Sequence, residues 1–138
     1  MIRTLILAAL AIVPASAMAG DPARDAILSD YTAQAQAADP AFKAFAAPRG
    51  ETLFRTNWAG GDPRTPSCTA CHTTNPMAPG RNAKTGRPID PVAVSVNPSR
   101  FTDRADVEKQ FARDCKSVLG RPCTALEKGD YITFMAGQ

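Results

Sequence analysis

Histidine is almost absent from this chain: its 138 residues contain one, His72. Aromatic residues make up 7% and tryptophan occurs once, so large side chains to fill an interior are scarce. Charge of one sign is lacking too. Sixteen Lys and Arg against thirteen Asp and Glu leave a net +3, too small and too scattered to point to nucleic acid or an anionic lipid surface as partner. No apolar run approaches the ~20 residues needed to span a bilayer, which argues against stable membrane insertion. Internal repeats and low-complexity tracts are missing, and 44% hydrophobic with 21% charged residues excludes a disordered or collagen-like chain. What is left is one small globular domain, rich in proline and loop, with an interior that something other than protein could fill.

The N-terminus has the three parts of an export signal. Arg3 supplies the basic start, Leu5–Val13 the apolar run, and Ala17-Met18-Ala19 the small-x-small cleavage pattern. The expected division is residues 1–19 as a cleaved signal peptide and 20–138 as the mature domain. The competing reading, a membrane anchor, is disfavoured by the shortness of the apolar run. Export with this type of leader implies a soluble periplasmic protein in an oxidising compartment, where four free cysteines would not persist.

The first two cysteines open the segment Cys68-Thr69-Ala70-Cys71-His72, which is C-x-x-C-H, the attachment signature of c-type haem. The chemistry explains the spacing. Two thiols three positions apart add to the porphyrin vinyl groups, and the next residue, His72, is then placed to give its imidazole to the iron as proximal ligand. Three other readings compete. A thioredoxin-like pair needs a helix starting at the first cysteine, but Gly60-Gly61-Asp62-Pro63 before the motif and Asn75-Pro76 and Pro79-Gly80 after it signal loops. A zinc site using all four cysteines would have an abnormally wide second pair and would leave the adjacent histidine unexplained. The third is chance adjacency with a simple disulfide. Cys115 and Cys123 read as a disulfide closing a short loop, with a redox-active pair as the alternative.

Apolar spacing predicts a helix over about 23–38, carrying Ile27, Leu28 and Tyr31, and a second over about 41–56, interrupted near Pro48-Arg49-Gly50. Residues 57–100 read as a long loop region that wraps a ligand. A third helix begins near Thr102-Asp103 with Val107, Phe111 and Val118 on one face. A last helix starts at Thr124, with Glu127 as its capping-box partner, and should bury Leu126, Tyr131, Phe134 and Met135. Gly50, Phe54, Tyr131 and Phe134 are expected to pack the first and last helices together. The fold class is all-α.

A second iron ligand decides between a closed, electron-carrying haem and one open to small molecules. Met77 lies only five residues beyond His72, too near to reach the opposite porphyrin face easily, and Met135 sits at a core position of the last helix. At about 100° per residue, Asp114 falls about 20° from Val107 on the apolar face of the third helix, whereas Lys116 falls about 180° away and faces water. Asp114 is therefore the candidate distal ligand, since burying a carboxylate needs a partner and ferric iron is one. The alternative is that the helix frays before Cys115 and Asp114 caps it or pairs with Arg113.

Several segments together resemble the sphaeroides haem protein family of small periplasmic class I-like cytochromes c. They are Pro66-Ser67-Cys68-Thr69-Ala70-Cys71-His72, Thr85-Gly86-Arg87-Pro88-Ile89, Pro98-Ser99-Arg100-Phe101-Thr102-Asp103, Val107-Glu108-Lys109, and the two-cysteine loop from Cys115 to Thr124. The resemblance covers nearly all of the mature chain. It implies a cytochrome c-type helical domain wrapped around one covalent haem c, a disulfide between the late cysteines, and a labile distal ligand just before the first of them. In the family that ligand is an asparagine that leaves on reduction, so that the ferrous haem binds oxygen or nitric oxide. Here the position is Asp114, a harder, anionic donor that favours ferric iron and lowers the potential. The resemblance also implies redox partners: a dihaem cytochrome c and a membrane cytochrome b. Electron transfer is the expected base function. A haem protein or haem-dependent oxidoreductase acting on oxygen or nitric oxide comes second, and a zinc or disulfide module without haem third.

Overall fold

The computed structural model describes residues 20–138, so the export-signal reading at 1–19 lies outside the described residues. Among the described residues five helices carry the fold: α1 (Pro22–Ala38), α2 (Ala47–Arg55), the single turn α3 (Thr69–His72), α4 (Arg104–Leu119) and α5 (Ala125–Ala136). The architecture is the expected helical one, with one small addition. Two-residue strands β1 (Gly80–Arg81) and β2 (Pro88–Ile89) pair antiparallel, Gly80 opposite Ile89, inside the segment read as loop.

Local chemistry sets the helix ends. Asp21 caps α1 by accepting from the Ala23 and Arg24 amides, and Pro22 occupies the first turn, where its missing N–H is no loss. Asp103 caps α4 through the Asp106 amide. At α5 the box is complete, Thr124 accepting from the Glu127 amide while Glu127 accepts from the Thr124 amide. The second helix differs from its prediction. It begins at Ala47 rather than near 41, because Pro48 has no N–H to offer a preceding turn and suits only a helix start.

The frame is α5 with α1 and α2 packed on it. Gly50 makes the α2–α5 crossing possible: a Cβ there would run into the Asp130 carbonyl, so the two backbones touch. Phe54 packs at a tilt against Tyr131 and Phe134, with ring centroids 6.3 and 5.9 Å apart. The joint anticipated between the first and last helices thus lies between the second and the last. Arg49 beside it donates to Asp130, Nε to Oδ2 at 2.6 Å. Tyr31, Phe54, Ile132 and Met135 are fully enclosed in the core. Leu126, expected inside, is 37% exposed, since it sits on the first turn of α5, before the helix reaches α2.

Helix α4 joins this frame mainly through side chains. Phe111 meets Tyr131 and Tyr31 edge-on, while Glu108 accepts from both the Tyr31 hydroxyl and the Lys128 ammonium, at 2.5 and 2.7 Å. At its C-terminal end, a Cys115–Cys123 disulfide ties α4 to the approach to α5. Among the described residues no helix is long and apolar enough to cross a membrane.

Candidate functional site

A cleft of about 1050 Å³ lies between α4, the loop region and α5. This is at the top of the size range of small-molecule and cofactor sites. Cys68, which caps α3, lines it with Cys71 and His72 from α3, Val107, Phe111 and Asp114 from α4, and Tyr131 from α5. All four residues predicted for the site are therefore brought together.

Two anchors place the C-x-x-C-H turn. The Asp62 amide donates to the Ser117 carbonyl at 2.7 Å, and the Thr65 and Ser117 hydroxyls bond at 2.8 Å, tying the preceding loop to the end of α4. On the other side β1 presses against the turn at Gly80, where a Cβ would collide with the Cys71 carbonyl. Directly after His72 the chain turns through Thr73 at φ 61°, the left-handed region that a β-branched residue rarely adopts. Backbone held in such a state concentrates at functional sites.

With Cys115 and Cys123 bonded to each other, Cys68 and Cys71 are the unpaired cysteines. A four-cysteine zinc site is thereby excluded. Burial pushes the Cys68 thiol up to about 12, with the Asp114 carboxylate adding to the effect, the reverse of what an attacking redox thiol needs. Burial also lowers the His72 pKa, against an opposing pull from Asp114, so its imidazole is neutral and has a lone pair to give a metal. A planar, largely apolar group bearing a central metal suits these features. Two unpaired thiols and a neutral imidazole share one wall, and apolar Leu53, Val92, Val107 and Phe111 contribute to the lining.

Asp114 lines the cleft, yet its side chain is 45% exposed, and its carboxylate is gripped by the guanidinium of Arg113. Helix α4 runs unbroken to Leu119, so the residue is not at a frayed end, although the Arg113 pairing weighed as its alternative is present. Met77 is half exposed, Met135 is sealed in the core, and neither borders the cleft. Lys116 is exposed at its rim.

Sequence reasoning missed three residues here. Arg100 borders the cleft while its guanidinium donates to the Pro91 and Asp90 carbonyls at 3.1 and 2.9 Å. Phe101, at φ 63°, turns its ring onto Tyr131, centroid to centroid 6.0 Å. Tyr131 was read as packing only, and it is a wall of the cleft as well. Its hydroxyl was the available signal, since a phenol at a core position needs a partner.

The fold and this cleft are those of a c-type cytochrome. Residues 40–135 match a family described as a domain of unknown function, DUF1924. The chain is 44% identical, over all of both sequences, to the cytochrome c-type protein SHP of Cereibacter sphaeroides. It is 32% identical to cytochrome c'' of Methylophilus methylotrophus, over 97% of this chain and 93% of that one. The structure of oxidised SHP, described as an oxygen-binding cytochrome c, superposes with a TM-score of 0.77 at 41% identity, covering 86% of this chain and 100% of that one. Oxidised cytochrome c'' from Methylophilus methylotrophus superposes with a TM-score of 0.71 at 31% identity, covering 84% and 94%. The chain belongs to the family of SHP-like haem cytochromes c.

Proposed function

We propose that the protein is an exported, periplasmic monohaem cytochrome c that carries electrons and whose iron has a displaceable distal ligand. Cys68 and Cys71 would hold one haem c through thioether bonds, and His72 would give its imidazole to the iron from the same turn. When bound, the haem supplies a one-electron ferric–ferrous couple and, in the ferrous form, affinity for diatomic gases. The chain's residues do the rest. The apolar lining excludes water, the neutral His72 imidazole donates its lone pair, and Asp114 offers a hard oxygen donor that prefers the ferric state.

One observation carries this reading: the C-x-x-C-H turn opens into a large cleft that Asp114 also lines. The carboxylate's attachment to Arg113 favours a ligand that can leave, because the guanidinium stabilises the detached form. Sequence identity to SHP, described as oxygen-binding, supports oxygen binding as a further property, which the family resemblance extends to nitric oxide. The family resemblance supports a dihaem cytochrome c and a membrane cytochrome b as redox partners. Ferric and ferrous absorption spectra, with and without carbon monoxide, test the proposal. A Soret band and a large carbon monoxide change in the reduced protein are expected. No Soret band in material matured in its host defeats the haem reading, and a reduced spectrum indifferent to carbon monoxide defeats the displaceable ligand.

A further inference from the structure

Every fully enclosed side-chain nitrogen or oxygen among the described residues has a hydrogen-bond partner. Tyr131 is 8% exposed and borders the cleft, and no protein group among the described residues is bonded to its hydroxyl. The ring is clamped on three sides by Phe54, Phe101 and Phe111 at centroid distances of 6.3, 6.0 and 5.7 Å, so the phenol cannot swing out to find a partner elsewhere. Its oxygen is therefore the part of the residue left open, and it is open to the cleft. The phenol lies within electrostatic reach of Asp114 and Cys68, and burial raises its pKa, which keeps it a protonated donor. A group that filled the cleft would take water away from this hydroxyl, and a donor then left unmatched would be costly unless something in the cleft accepted from it.

We infer that Tyr131 is the cleft's hydrogen-bond donor to a diatomic ligand, such as oxygen, held at the iron on the side Asp114 vacates. The inference rests on the haem reading above and adds a specificity-determining residue to it. Bound oxygen draws electron density from ferrous iron and becomes a hydrogen-bond acceptor. Carbon monoxide does so only weakly, so the phenol favours the former over the latter. The aromatic clamp fixes the donor in advance, and little side-chain entropy is lost when the ligand arrives.

The test uses the mature holoprotein and its Tyr131→Phe variant, which retains the ring and its packing. Carbon monoxide and then oxygen are added to the ferrous protein. Removing the donor is expected to raise the C–O stretching frequency of the carbon monoxide complex and to speed oxygen dissociation by about two- to tenfold. The carbon monoxide association rate should not change. In the wild type, transfer to D2O should shift the iron–oxygen stretch, and Tyr131→Phe should abolish that sensitivity. An unchanged C–O stretch together with unchanged oxygen dissociation overturns the role of Tyr131 while leaving a displaceable distal ligand intact. Wild-type protein that binds no carbon monoxide overturns both. If Tyr131→Phe fails to mature with haem, Tyr131→Leu is measured in the same way, and absence of D2O sensitivity in the wild type alone is enough to reject the donor.

Discussion

Arg113 and Asp114, neighbours on α4, form a two-point pair at the edge of the cleft, Nε to Oδ1 at 2.7 Å and Nη2 to Oδ2 at 3.1 Å. Arg113 also reaches Gln110 one turn back, which steadies its guanidinium. On the proposed function the carboxylate would have two partners, the Arg113 guanidinium, which also borders the cleft, and the haem iron, and the balance between them would control how readily the iron opens.

Removing the arginine should tip that balance inward. Arg113→Ala is expected to move the ferric spectrum toward the closed, carboxylate-ligated form and to lower the midpoint potential in a redox titration, since ligation by a hard anion favours ferric iron. A rise in potential would contradict the model of competition.

Asp114→Ala tests ligation itself. The ferric spectrum should change while the haem's contribution to the mass of the mature protein does not, because the proposed thioether bonds of Cys68 and Cys71 do not involve Asp114. An identical ferric spectrum would remove Asp114 from the iron. His72→Ala, by contrast, should impair maturation or ligation severely.

The α2–α5 crossing should be intolerant of added bulk. Gly50→Ala places a methyl against the Asp130 carbonyl, backbone that cannot yield, and should cost about 1–3 kcal/mol in chemical denaturation. Wild-type stability in this variant would mean the helices do not meet as described.

These sites were legible to different degrees, for physical reasons. Caps at Asp21, Asp103 and Thr124 are local bargains between a side chain and an amide two or three residues away, so sequence shows them directly. The C-x-x-C-H turn is likewise a short-range pattern. By contrast, Arg24 is buried because its guanidinium donates to the Pro98 and Arg100 carbonyls, more than seventy residues away, and no local spacing announces such a contact. The exposure of Leu126 and the left-handed Phe101 also follow from tertiary placement. Tyr131 satisfied the helical period of a core residue, and periodicity alone does not tell a wall that faces protein from one that faces a ligand.

Acid should weaken the α5 cap. The Arg121 guanidinium holds the Glu127 carboxyl below its ordinary value. A folded-state pKa depressed in this way adds stability above the unfolded value of about 4.3, and that stability is lost as pH falls through the folded value. Glu127→Gln should therefore be less stable than wild type at neutral pH, by about 0.5–1 kcal/mol for a partly exposed pair, with the gap closing below about pH 4. A gap that persists undiminished at pH 3 would assign the effect to lost capping geometry instead.

The substitution that speaks most directly to how this chain differs from the family pattern is Asp114→Asn, which trades a carboxylate for the amide the resemblance leads one to expect there. The two side chains are nearly the same size, so α4, the Cys115–Cys123 disulfide and the cleft should be undisturbed. Only the charge changes, and the Arg113 pair weakens with it. An amide binds ferric iron less strongly than an anion does, so the ferric state loses more than the ferrous one. The midpoint potential should rise, by about 59 mV for each tenfold loss of ferric preference in a one-electron couple. A rise in potential with an unchanged ferric spectrum would mean that Asp114 acts on the iron only through space, from its place beside Arg113, and a fall would contradict its preference for the ferric state altogether.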